Sequence, residues 1–205
     1  MNPRRRPLLA LLGAALLAVS PADAQNVAQG KLVPDLEAVA RSALLVLPPP
    51  PAWAANTGAG TWTIDDIKAE LARHTDRPPR VNFVRTSMLR PDHAWLVNFK
   101  GWFRTIQKPL KMHFEHQLFD CDNYANAFVA FADLLALKAG EARGSACIGW
   151  ASVYYRRPFA GIRAGAHAVV VVGTSQGLHI LEPQDGTMVP LAEFPNRHTI
   201  EEINF

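Results

Sequence analysis

Beyond its first 24 residues the chain has no apolar run approaching the roughly 20 residues that a membrane-spanning helix requires. An integral membrane segment is thereby excluded from the bulk of the sequence. Cysteine is almost absent: Cys121 and Cys147 are the only two, which leaves room for one disulfide and no more. Net charge is also small. Setting aside residues 1–24 removes three arginines and one aspartate, leaving 18 basic against 17 acidic side chains. A nearly neutral chain lacks the basic footprint of a nucleic-acid binder, so that class is set aside.

At the N-terminus stand Arg4-Arg5-Arg6, an apolar stretch from Leu8 to Val19, and the small residues Ala22-Asp23-Ala24. This order reads as a secretory signal peptide over 1–24, which makes the expected location periplasmic or secreted. Residues 25–60 carry Pro48-Pro49-Pro50-Pro51 within an Ala/Pro-rich stretch, read as an extended arm draped over the surface or mobile. The remaining 61–205 is long enough for one domain with a sizeable core. Thr63 with Asp66 predicts a capped helix over 64–73, and Pro91-Asp92 opens a second helix towards Phe103. Tyr124, Phe128, Phe131 and Leu135 recur at helical spacing over 121–138. Short strands are read at 81–84, 146–155, 169–172, 178–183 and 189–191. One helix followed by mostly antiparallel strands predicts an α+β class.

The segment Phe119-Asp120-Cys121-Asp122-Asn123-Tyr124-Ala125 places a thiol where a loop turns into that third helix. Helix starts favour negative charge, so the position suits a thiolate nucleophile. A base is expected on a rigid element, and His167 heads the apolar run Val169-Val170-Val171-Val172. The turn Gly173-Thr174-Ser175-Gln176-Gly177 makes a hairpin with 178–183. If that turn centres near Ser175, the position facing His167 is about residue 183, so Glu182 or Gln184 lies opposite it. A carboxylate there would orient the imidazole and stabilise the imidazolium. Trp95, Trp102, Tyr154 and Tyr155 are candidates for lining a substrate groove.

Cysteine at a helix start, histidine on a later strand and an acid on the next strand is the order of papain-like and transglutaminase-like cysteine hydrolases. More narrowly, Asp120-Cys121-Asp122-Asn123-Tyr124-Ala125 with Gly165-Ala166-His167-Ala168-Val169 resembles the bacterial transglutaminase-like cysteine proteinases. The resemblance covers roughly residues 62–186. It implies a Cys-bearing helix packed on a mostly antiparallel sheet that carries the histidine and acid, and a peptidase or amidase acting on a peptide or protein. It also implies Cys121 as nucleophile, His167 as base and an acid on the following strand. That group has Asp-Asn after the apolar strand, whereas Glu182-Pro183-Gln184-Asp185 stands here; Glu182 is the favoured third member and Asp185 the alternative. Some members bind calcium through acids flanking the cysteine, where Asp120 and Asp122 stand, although two carboxylates fall short of the six to eight oxygens calcium takes. No other cofactor is expected.

The expected reaction is attack of the Cys121 thiolate on an amide carbonyl and formation of a thioester, followed by hydrolysis or by transfer to another amine. The oxyanion would rest on the Cys121 backbone N–H, with Gln117 as the upstream side-chain candidate. The competing expectation is a secreted binding domain stapled by a Cys121–Cys147 disulfide, with no turnover.

Overall fold

A computed structural model describes residues 47–55, 60–83, 86–110, 112, 120–139 and 146–205. The expected signal peptide, most of the arm, and Gln117 lie outside these residues. A six-stranded sheet organises the chain, in the order β2 (Arg80–Asn82), β8 (Ile200–Asn204), β4 (Ile148–Tyr155), β5 (Gly165–Thr174), β6 (Gly177–Leu181), β7 (Met188–Pro190). Every neighbouring pair is antiparallel except β2 with β8, which is parallel. A second sheet pairs β1 (Thr61–Thr63) with β3 (Ser87–Leu89).

Among the described residues three α-helices cover the large sheet. In α1 (Ile64–His74) the Thr63 side chain accepts from the Asp66 N–H while the Asp66 carboxylate accepts from the Thr63 N–H, a reciprocal cap that satisfies two orphan donors. Helix α2 (His93–Gln107) is capped by Asp92, whose side chain accepts from the Trp95 N–H. Helix α3 spans Cys121–Lys138. Among the described residues no helix is long and apolar enough to cross a membrane.

The strongly apolar β5 follows from its position, since both faces of the sheet are covered. Ala168, Val170 and Val172 pack with α2 and α3 through Phe99, Phe103 and Phe128. Val169 and Val171, on the opposite face, pack with Trp62, Ile67, Leu71, Ile180 and Phe194. The alternation of β5 thus divides the core into two clusters. Trp95 and Trp102 are buried in the first and Tyr155 in the second, so they are core rather than groove; only Tyr154 of that set is exposed. The described part of the proline arm is anchored on the domain. Leu47 is buried in the first cluster, the Trp102 indole donates to the Pro48 carbonyl at 2.7 Å, and Trp53 meets Trp95 edge-on at 4.5 Å.

Candidate active site

The hairpin β5–β6 sets the geometry. Val170 faces Leu181 and Thr174 faces Gly177 across a two-residue turn, Ser175-Gln176. Extending this register places Gln184 opposite His167 and leaves Glu182 as the diagonal neighbour on the same face, within reach of a long side chain. Glu182 Oε2 lies 2.6 Å from His167 Nε2. The carboxylate is fully buried and His167 is 9% exposed. Glu182 Oε1 accepts the Gln184 N–H at 3.1 Å, which fixes the second oxygen.

The platform under Glu182 is held by backbone bonds and by α2. The Glu182 N–H donates to the Thr187 carbonyl and the Gly186 N–H to the Glu182 carbonyl, both at 2.8 Å. From α2, Lys100 Nζ donates to the Gly186 carbonyl at 3.0 Å and Gln107 Nε2 to the Pro183 carbonyl at 2.8 Å. Gly186 adopts φ +80°, and a Cβ there would lie 2.8 Å from the Arg104 side chain, so glycine suits both the turn and the close helix. Asp185, the alternative acid, is engaged elsewhere: its two oxygens accept from the Thr187 N–H at 2.7 Å and the Thr187 hydroxyl at 2.9 Å. The structure brings Glu182 to the imidazole and assigns Asp185 to the turn.

Cys121 is the first residue of α3 and half-buried, and its side chain lies near enough to His167 to favour the imidazolium. With Nε2 committed to Glu182, Nδ1 is the ring nitrogen left for the sulfur. Burial opposes the imidazolium, yet the hydrogen bonds to Cys121 and Glu182 and the negative charge of both outweigh it, raising the His167 pKa to about 9. Asp120 and Asp122 flank the sulfur and hydrogen-bond each other. That contact lowers the Asp120 pKa and raises that of Asp122, as two close carboxyls sharing a proton require. Asp120 also accepts from Asn123 Nδ2 at 3.1 Å. Among the described residues no group of three or more His, Cys, Asp or Glu side chains could hold a metal ion. Asp120 and Asp122 alone do not fit calcium, which takes six to eight oxygen ligands.

Cys147 is a free thiol like Cys121, and it belongs to the opposite core cluster. It is fully buried beneath Gly173, where an added Cβ would meet its Sγ at 2.5 Å. Burial pushes its pKa well up. Two neighbours of the site carry no signal that motif reading uses. Tyr155 sets its ring, tilted by 53°, with its centroid 4.9 Å from that of His167, and buries a hydroxyl that has no hydrogen-bond partner among the described residues. Burial, followed by the charges of Glu182, Cys121 and Asp185, raises its pKa. Asn196, 2% exposed, pins the chain that leaves β4. The sequence signal that marks Tyr155 as buried rather than groove-lining is its place in the inward alternation of β4 with Ala151 and Val153.

Neither a protein-family model nor a curated protein matches the chain. Solved structures do. One, of PSL1a in complex with E64, aligns with TM-score 0.55 at 16% identity over 71% of this chain. Another, of Polyporus squamosus lectin bound to the human-type influenza-binding epitope Neu5Acα2-6Galβ1-4GlcNAc, aligns with TM-score 0.52 at 16% identity over 71% of this chain. The likeness is one of fold. This chain spans about half the length of those it matches, 50% and 49% respectively.

These matches overturn two expectations. The papain-like/transglutaminase-like α+β class is replaced by the sheet-dominated fold shared with these solved structures. The physical reason is that a helix followed by a hairpin fixes one local packing and not the rest of the sheet. Here the sheet continues through β8 to a parallel β2, contributed by a distant segment. The assignment as a transglutaminase-like cysteine peptidase or amidase, with the hydrolase and protease reading, falls with it, because it was carried by the resemblance to a fold that the matched structures do not support. The Cys-His-acid order on which that assignment rested is a property of three positions, and a fold does not carry an activity with it.

Proposed function

We propose that Cys121, His167 and Glu182 work together as a thiol acyl-transfer centre, in which the sulfur takes an acyl group as a thioester and passes it to an acceptor. The observation that carries this reading is the buried imidazole held between the Cys121 side chain and a carboxylate 2.6 Å away. In the first step His167 takes the thiol proton and the sulfur attacks the carbonyl carbon. A C–S bond forms and the carbonyl π pair moves to oxygen. As the oxyanion collapses, the bond to the leaving group breaks and the imidazolium returns its proton to that group. The acceptor, an amine, then loses a proton to His167, takes the acyl group and restores the thiol. Glu182 keeps the ring oriented and balances the imidazolium throughout. As the first helical residue, Cys121 has a backbone N–H with no intrahelical acceptor, free to face the oxyanion. The acyl donor in this reading is a peptide or protein carbonyl.

The test is alkylation of the full chain by iodoacetamide between about pH 5 and 9, with both cysteines mapped. Cys121 is expected to react near pH 6 and Cys147 to remain unmodified, with His167→Ala slowing Cys121 by at least about tenfold. Cys121→Ser should abolish the reaction and change unfolding free energy by no more than about 0.5 kcal/mol. A Cys121 that labels no faster than a free thiol, equally in the presence and absence of His167, would sink the reading. The PSL1a structure contains E64, so E64 is the second reagent to try, and a mass gain confined to Cys121 is the supporting result.

One observation favours a second reading, a sugar-binding domain: the lectin structure carries a sialylated trisaccharide. It applies to this chain only if that sugar sits in the half of the lectin that this chain covers. Titration calorimetry with the same trisaccharide separates the two readings, heat of binding supporting the second and its absence at millimolar sugar removing it.

A further inference from the structure

The connection from β4 to β5, residues 156–164, reads Arg-Arg-Pro-Phe-Ala-Gly-Ile-Arg-Ala and holds three arginines and no acid. It leaves the sheet directly after Tyr155, whose ring lies against His167, and rejoins it at Gly165, two residues before His167. Arg156, Arg157 and Arg163 are therefore placed at the end of the sheet that carries the imidazole. All three are exposed, and none forms an ion pair among the described residues.

The loop is stiff. The Asn196 side chain accepts from the Arg156 and Arg157 N–H groups at 2.9 Å each and donates to the Arg157 carbonyl at 2.8 Å. Phe159 and Ile162 exchange backbone hydrogen bonds at 3.0 and 2.9 Å across Ala160 and Gly161, which take φ +52° and +75°. Phe159 packs edge-on against Phe194 at 5.1 Å. Three like charges on a fixed loop repel one another, and nothing within the loop offsets that repulsion. Guanidinium groups held in this way are suited to paired hydrogen bonding with a carboxylate.

We infer that this loop selects the substrate: the acyl donor carries an anionic group, a carboxylate, on the His167 side of the carbonyl attacked by Cys121. The inference rests on the acyl-transfer reading and deepens it. The acids nearest the sulfur do not reproduce the loop's charge in reverse. Glu182 is balanced by the imidazolium, Asp185 is held by Thr187, and Asp120 and Asp122 share a hydrogen bond at the helix start.

The probes are iodoacetate and iodoacetamide, equal in reach and differing in charge, compared by their rates of Cys121 alkylation in the full chain. In the triple variant Arg156→Gln, Arg157→Gln, Arg163→Gln the iodoacetate-to-iodoacetamide ratio should fall about threefold at low ionic strength, with the iodoacetamide rate unchanged. Salt at about 0.5 M should compress the difference between the two proteins. If the triple variant does not fold, Arg163→Gln alone should lower the ratio by about 1.4-fold. An unchanged ratio, with Cys121 still labelled by iodoacetamide in both proteins, overturns the assignment of the loop alone. Absence of iodoacetamide labelling in the unsubstituted chain overturns the acyl-transfer reading, and the loop's role with it.

Discussion

His167 and His179 lie on adjacent strands of one hairpin, both almost fully buried, and their charges are pushed in opposite directions. Burial disfavours the imidazolium at each. At His167 the hydrogen bonds to Cys121 and Glu182 and their negative charge reverse that effect, and the pKa rises to about 9. At His179 burial prevails: the Gly177 carbonyl, 3.2 Å from Nδ1, gives partial relief, the charge of His93 works against protonation, and the pKa falls. Strand register makes the difference. His167 sits where the hairpin ends and a buried carboxylate can reach it, whereas His179 sits by the turn among Thr174 and a backbone carbonyl. The same side chain is a charged partner at one end of the hairpin and a neutral core residue at the other.

Breaking this contrast at Glu182 should have the largest effect. Glu182→Ala leaves a buried imidazole that has lost its carboxylate, and unfolding free energy should drop by about 3–5 kcal/mol. Glu182→Gln preserves the shape, so it isolates the charge. The His167 pKa should fall back from about 9 towards 6.5 while the fold is retained. Titration of the two histidine ring signals by NMR checks this, with His179 as the internal control; a His167 pKa unmoved by Glu182→Gln would show that the carboxylate does not govern it.

The two histidines should also give stability opposite slopes with pH. Between pH 6.5 and about 9 the folded chain holds a proton on His167 that the unfolded chain has released. The stability tied to that proton is complete below pH 6.5 and is lost as pH rises through 9, with a slope of at most about 1.4 kcal/mol per unit. His179, with its pKa lowered in the folded chain, acts in the other direction: its contribution is complete above pH 6.5 and is lost as pH falls below it. Urea midpoints from pH 5 to 9.5 should show both slopes. His167→Gln should flatten the alkaline one alone and His179→Gln the acid one alone.

Much of this arrangement is legible in the sequence where the signal is local. The apolar spacing of Tyr124, Phe128 and Phe131 marks α3, whose observed bounds are Cys121–Lys138, and Thr63 with Asp66 marks the start of α1. The hairpin register is readable to within one residue, which suffices to bring Glu182 into range of His167. The pairing of β8 with β2 is not legible. It joins Arg80 to Glu202 in parallel, between segments with no shared turn, and no periodicity in either announces the other. The burial of Trp95 and Trp102 was masked for a different reason: aromatic residues suit a groove and a core equally, and only the direction of α2 decides between them. For the same reason three well-placed residues pointed to a family whose fold the whole sheet does not share.

The smallest expected effect sharpens the comparison at its neutral end. The Thr174 hydroxyl, fully buried, donates to the Gly177 carbonyl at 3.2 Å, accepts the Gln176 N–H at 3.1 Å and lies 3.4 Å from His179 Nδ1. It therefore competes with His179 for the same carbonyl and holds the turn that separates the two histidines. Thr174→Val keeps the volume and removes that competition, so His179 becomes the only side-chain donor to the Gly177 carbonyl while the Gln176 N–H loses its acceptor. Unfolding free energy should fall by about 0.5–1.5 kcal/mol, the amount typical of one exchanged hydrogen bond. The His167 pKa should not move, because Glu182 and Cys121 hold it independently of the turn. A shift of His167 in this variant, read in the same NMR titration, would mean that the two ends of the hairpin are electrostatically joined and that the carboxylate alone does not explain their difference.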